Sequence, residues 1–130
     1  MRSTVLISIV DDDESMREAT SGLVRSLGYR AVTFGSAEEF LYSDSLNDTS
    51  CLITDVQMPG LSGIDLQRQL IAKGHLVPTI FITAFPEEVT RQCALTAGAI
   101  GYLDKPFTEE SLVKCLEAAL RGHGERIPQR

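Results

Sequence analysis

Four places in this 130-residue chain hold side chains suited to binding a cation or an anion. Asp11, Asp12 and Asp13 follow one short apolar run, and Asp55 follows a second. Thr83 closes a third, and Lys105-Pro106 follows a fourth. Clustered carboxylates repel and raise one another's pKa unless a cation sits among them. Hard oxygen ligands suit Mg²⁺, which takes one or two carboxylates together with phosphate oxygens. An ammonium and a hydroxyl aimed at the same point can hold the other oxygens of a phosphoryl group. The chemistry indicated is phosphoryl transfer onto a carboxylate, with Asp55 as nucleophile.

Each residue alone has a plainer reading. An Asp at a strand end is often a cap or turn former, and Asp13 fits that role immediately ahead of a helix. Thr83 could be an ordinary strand residue, Lys105 a solvated charge, and Asp104-Lys105 a surface pair of little energetic weight. Their joint placement at four strand ends favours the functional reading. Neither G-x-x-x-x-G-K-[ST] nor G-x-G-x-x-G occurs, which argues against a nucleotide as the phosphate source.

The elements that must position these groups follow from periodicity. Val5–Val10, Ala31–Phe34, Cys51–Thr54, Thr79–Thr83 and Ile100–Leu103 read as five strands. Helices are expected from Glu14 to Leu27, from a Ser36-Ala37-Glu38-Glu39 capping box to about Tyr42, and over Gly63–Lys73 behind Ser62. A fourth is expected from Pro86, in its first turn, to about Ala97. The last follows a Thr108 cap, with Leu112, Cys115, Leu116, Ala119 and Leu120 on one stripe. Asp44–Ser50 reads as polar loop. Strict alternation predicts a single doubly wound α/β domain, a parallel five-stranded sheet with helices on both faces. Ligands of such sheets bind at the carboxyl ends of the strands. The domain is expected over residues 1–121, with 122–130 a linker or tail.

Composition narrows the class further. Twelve Lys plus Arg against eighteen Asp plus Glu give a net charge of -6, which argues against a nucleic-acid surface or an anionic-membrane binder in this segment. No run is long enough to span a membrane, and the amino terminus lacks a signal-peptide layout. Cys51, Cys93 and Cys115 form no metal-ligand spacing and read as reduced, small, buried residues of a cytoplasmic protein.

The combination Val10-Asp11-Asp12, Asp55-Val56-Gln57-Met58-Pro59-Gly60-Leu61-Ser62-Gly63, Ile82-Thr83-Ala84 and Asp104-Lys105-Pro106-Phe107 resembles the receiver domain of bacterial two-component response regulators. The likeness covers residues 5–121, and Ser36–Leu41 with Lys105-Pro106-Phe107 looks closest to the FixJ-type subgroup. It implies a flavodoxin-like (βα)5 fold with strand order 2-1-3-4-5. It implies Asp55 as phosphoacceptor. Mg²⁺, with Mn²⁺ as a substitute, would be held by Asp11, Asp12, Asp55 and the backbone carbonyl of Gln57. Thr83 and Lys105 would bind the phosphoryl group, beside a cis Lys105–Pro106 bond. Ala84 would leave room for the phosphodonor, Tyr102 would be the aromatic switch, and Gln57 and Phe85 would tune dephosphorylation.

A sensor histidine kinase is the implied donor. The implied response is a change in the face formed by the fourth helix, fifth strand and fifth helix. That face would control a homodimer or an output domain, such as a transcriptional helix-turn-helix unit absent from these residues. Such a domain is a signalling switch rather than an enzyme, catalysing only its own phosphotransfer and slow autodephosphorylation. A haloacid-dehalogenase-type phosphatase would want a second Asp where Gln57 stands. A flavin-binding flavodoxin would want a phosphate loop in place of the three Asp residues. A pseudo-receiver acting only as an interaction module would not need the Asp12, Asp55, Thr83 and Lys105 set.

Overall fold

The computed structural model describes residues 5–125. Its strands are β1 (Leu6–Val10), β2 (Arg30–Phe34), β3 (Cys51–Asp55), β4 (Thr79–Thr83) and β5 (Gly101–Asp104). They pair in parallel in the order β2-β1-β3-β4-β5. The helices are α1 (Glu14–Ser26), α2 (Ala37–Leu41), α3 (Gly63–Ala72), α4 (Glu88–Thr96) and α5 (Glu109–Glu125). The doubly wound fold expected from alternation is therefore present, with the flavodoxin-like strand order that the resemblance implied.

The three central strands are buried along their whole length, because helices cover both faces and leave no solvated side. Side chains alternate across a strand, so each strand serves two cores. Ile7, Ile9, Ile53, Ile80 and Ile82 pack on one side with Val24 of α1 and Leu112 and Leu116 of α5. Val10 and Leu52 face the other way, onto Phe40 of α2 and Leu66 and Leu70 of α3. Phe81 meets Ala94 of α4 and Val56. A fully buried Ile or Leu contributes about 1.5–3 kcal/mol relative to exposure, so these two layers fix where each strand ends.

Local chemistry sets the boundaries. Asp13 caps α1, its carboxylate accepting the Ser15 and Met16 amides. Ser62 and Asp65 form a reciprocal capping box at α3. Gly28 and Gly74, at φ +97° and +80°, end α1 and α3 in the left-handed region, where a Cβ is disfavoured.

Several expectations are corrected. The Ser36 box is half made: Ser36 Oγ accepts from the Glu39 amide, but the Glu39 carboxylate turns to the Gly35 amide instead. Asp44–Asp48 winds into a 3₁₀ turn, with the Thr49 hydroxyl donating back to the Ser45 carbonyl. Pro86 lies outside α4. The Phe85 amide is taken by the Thr83 hydroxyl, which holds a turn there, and Glu87 becomes the cap. The last helix continues past Arg121 to Glu125, so residues 122–125 of the expected tail are helical, and 126–130 lie outside the described residues. Cys51 is buried as expected, with its thiol pushed up to about 12 by burial and by the neighbouring Cys115. Cys93 is exposed, on the solvent side of α4.

Candidate functional site

The parallel sheet brings the carboxyl ends of β1, β3, β4 and β5 to one edge. Asp11 follows β1 and is fully buried, and Asp55 is the last residue of β3 and 6% exposed. Asp12 beside them is exposed. One carboxylate oxygen from each of Asp11, Asp12 and Asp55 lies within 4.8 Å of the others. Lys105, just past β5, bridges two of them: its Nζ donates to Asp55 Oδ2 at 3.0 Å and to Asp11 Oδ2 at 3.2 Å. Lys105 thus pairs with buried carboxylates, which disfavours the plainer reading of Asp104-Lys105 as a surface pair. The Lys105–Pro106 peptide bond is cis, as the resemblance implied.

Backbone contacts hold the carboxylates in place. Asp11 Oδ1 accepts the Asp13 amide at 2.9 Å, and Arg17 Nη1 donates to the Asp11 carbonyl at 2.8 Å. The Lys105 amide donates to the Thr83 carbonyl at 2.7 Å, tying the end of β5 to that of β4. After Asp55, the Gly63 amide donates to the Val56 carbonyl at 2.8 Å. A Cβ on Gly63 would collide with the Asp55 carbonyl oxygen, so the loop can close this tightly only on glycine. Glu38 of α2 reaches over and accepts the Leu61 amide at 3.2 Å. Glu38, Arg17 and Gly63 were not singled out in the sequence. Gly63 ends the quoted D-x-x-M-P-x-x-x-G stretch, whereas the Glu38 contact spans 23 positions and carries no local signal.

Burial raises the Asp55 pKa above its ordinary value; the Lys105 hydrogen bond and charge oppose the rise, and the Asp11 charge adds to it. For Lys105, burial alone would weaken the ammonium, but the hydrogen bond to Asp55 and the charges of Asp11 and Asp55 outweigh it and raise the pKa. The site is thus a carboxylate whose burial outweighs the one ammonium that favours its ionised form. The donor set of three carboxylates is hard oxygen, the kind a small divalent cation requires, so these residues fit Mg²⁺.

Thr83 is fully buried. Its hydroxyl donates to Gln57 Oε1 at 2.7 Å and accepts the Phe85 amide at 3.0 Å. Ala84 is exposed and small, and Phe85 is 69% exposed, so it does not cap the core. Tyr102 of β5 lies with its ring centroid 6.2 Å from that of Phe81. Its hydroxyl is buried and makes no hydrogen bond among the described residues. Burial, then the Asp104 and Glu87 charges, raise its pKa, while Arg91 acts in the opposite direction. A separate groove of about 300 Å³ opens at the amino-terminal ends of β4 and β5, between Leu70, Ile71, Leu76 and Ile100. Among the described residues, no carboxylate lines it.

The fold is that of a doubly wound α/β receiver domain, with three carboxylates and a lysine gathered at its carboxyl edge. The chain belongs to the response regulator receiver domain family, whose pattern matches residues 7–117. It is 43% identical over 116 residues to the response regulator protein TodT of Pseudomonas putida, covering 89% of this chain and 51% of that one. It is 31% identical over 126 residues to the transcriptional regulatory protein FixJ of Azorhizobium caulinodans, covering 97% and 60%. The crystal structure of FixJ-N superposes with a TM-score of 0.82 at 30% identity, over 93% of this chain and 96% of that chain. The FixJ-type likeness is thereby borne out in both sequence and structure. The chain spans about half the length of the curated relatives it matches. Among the described residues, no helix is long and apolar enough to cross a membrane.

Proposed function

We propose that Asp55 accepts a phosphoryl group from a sensor histidine kinase and that the domain relays its arrival as a change of shape. The observation that carries this reading is Lys105 Nζ lodged between Asp55 and Asp11, beside the three-carboxylate cluster. In the transfer, an Asp55 carboxylate oxygen attacks phosphorus. The bond from phosphorus to the kinase's histidine nitrogen breaks, and the nitrogen keeps its electron pair. Asp11, Asp12, Asp55 and the backbone carbonyl of Gln57 would hold Mg²⁺ or Mn²⁺. Bound there, the cation supplies neutralising charge to the transferring oxygens. Lys105 then shifts from the Asp55 carboxylate to the phosphoryl oxygens, and exposed, small Ala84 leaves the donor a path.

Phosphorylation adds a near-dianionic group with three acceptor oxygens. The Thr83 hydroxyl donates to one of them. The displacement lets Tyr102 repack, which alters the face formed by α4, β5 and α5. The new contacts act only through their difference between the two packings. That face would control homodimerisation or an output domain, such as a helix-turn-helix unit, in cytoplasmic transcription regulation. The receiver unit itself would end near residue 121. Exposed Phe85, over the reaction edge, would hinder water and, with Gln57, set the slow rate of autodephosphorylation.

Incubation with acetyl phosphate and Mg²⁺ followed by intact-mass measurement tests the central step. One phosphoryl adduct is expected on the parent and none on Asp55→Asn. An adduct of equal yield on Asp55→Asn would move the acceptor elsewhere.

A further inference from the structure

The Thr83 hydroxyl has one proton, and Gln57 holds it. The donor distance to Gln57 Oε1 is 2.7 Å, and the hydroxyl's lone pairs already serve the Phe85 amide at 3.0 Å. A phosphoryl oxygen on Asp55 needs a donor from Thr83, and that single proton is all Thr83 can offer. Gln57 and the phosphoryl group therefore compete for it. We propose that Gln57 is a positioning residue: a side-chain latch that holds Thr83 in its resting place and sets how strongly a phosphoryl group on Asp55 must pull to move it. The proposal rests on Asp55 being the phosphoacceptor.

Three features suit Gln57 to this role. It stands two positions after Asp55, so latch and acceptor ride on the same segment. That segment is anchored by the Glu38 carboxylate on the Leu61 amide and by the Gly63 amide on the Val56 carbonyl, so the latch has a fixed base. Gln57 itself is exposed while Thr83 is fully buried. On release, water re-solvates the Gln57 amide, so breaking the latch costs one net hydrogen bond and no buried orphan.

A double-mutant cycle tests this, with beryllofluoride in saturating Mg²⁺ as a non-covalent phosphoryl mimic on Asp55. Its affinity is read from the amide NMR shifts of Thr83 and Lys105. Gln57→Met keeps the length of the side chain and removes the strong acceptor. Thr83→Val keeps the shape and removes the hydroxyl, both its proton and its hold on the Phe85 amide. In the parent background, Gln57→Met is expected to tighten beryllofluoride binding by about two- to tenfold, the range one net hydrogen bond commands. In the Thr83→Val background, the same substitution is expected to change nothing. An equal gain in both backgrounds means Gln57 acts by bulk or through the cation, and overturns the latch. No gain in the parent background overturns it as well. A parent that fails to bind beryllofluoride at all removes the phosphoacceptor reading and the latch with it, so the two failures are distinct.

Discussion

Asp55 is a nearly buried carboxylate with two like charges for neighbours, and replacing it by Asn tests what that arrangement costs. At an effective dielectric constant of about 20, a carboxylate within 4.8 Å, as for Asp11, repels it by about 3.5 kcal/mol or more, and the Lys105 ammonium at 3.0 Å attracts it by about 5.5 kcal/mol. Asp12 is exposed, so its repulsion is screened to about 1 kcal/mol at a water-like dielectric. These contributions nearly cancel. What remains is the penalty for holding an ion out of water, which reaches several kcal/mol for full burial and is smaller here because the side chain is still 9% exposed. Asn keeps the shape, still accepts a hydrogen bond from Lys105, and carries no charge. We expect Asp55→Asn to be more stable than the parent by about 1–2 kcal/mol at pH 7 without divalent cation, given a net cost of that order.

The pH dependence has a definite sign. The folded-state pKa of Asp55 is raised above its ordinary value, with burial the largest cause. Between the ordinary and the raised value, the folded protein keeps a proton that the unfolded chain releases. Stability from this group is therefore lost as pH rises through that window. The advantage of Asn is complete above the raised pKa and absent below the ordinary one. Mg²⁺ acts in the opposite sense. At one hundred times its Kd it stabilises the parent by about 2.7 kcal/mol, and the variant, short of one carboxylate, gains less. Urea denaturation at pH 7 and at acidic pH, in EDTA and in Mg²⁺, measures all four corners. An Asn variant less stable than the parent at pH 7 in EDTA would refute the reasoning. So would an advantage that persists unchanged at acidic pH.

Three further outcomes follow from the same geometry. Gly63→Ala drives a methyl into the Asp55 carbonyl and should destabilise the fold by about 1–3 kcal/mol, measured by urea denaturation, while lowering the yield of acetyl phosphate labelling. On the proposed reading, Lys105→Ala should still accept phosphate but show no phosphorylation-dependent dimer by size-exclusion chromatography, because the ammonium assigned to the phosphoryl group is gone. Phe85→Ala opens the exposed side of the reaction edge and should lose its phosphate several-fold faster by mass spectrometry; an unchanged rate would assign Phe85 no part in hydrolysis.

The fold was legible because its signals are local and redundant. The runs at β1, β3 and β4 are apolar on both faces, which only a covered parallel sheet explains. Asp13, Ser62 and Thr108 cap helices through contacts within three residues, a range the sequence displays directly. The misplacements occurred where a second partner competed for a local group. Glu39 chose the Gly35 amide over Ser36, and Thr83 took the Phe85 amide and moved the start of α4 past Pro86. Residues 122–130 read as a linker or tail, yet α5 carries on to Glu125. Helix propensity is a weak prior against neighbouring turns already wound.

The site divides along the same line. Asp11, Asp55, Thr83 and Lys105 could be placed together before any coordinates, because strand direction alone sends their backbones to one edge. The pairing of Lys105 with Asp55 then follows from charge, across 50 positions of sequence. The Gln57–Thr83 bond has no such guide. Gln57 is uncharged, lies on an exposed loop, and could as well have pointed to water. Its amide reaches Thr83 only because Glu38 and Gly63 hold the loop from either side, and neither constraint is periodic. Backbone topology thus fixes which groups can react, while a few long-range contacts to loop backbone decide which of them is restrained at rest. On the proposed reading, relatives with other residues two positions after the aspartate that matches Asp55 should then share the chemistry and differ in the threshold at which the matching hydroxyl moves.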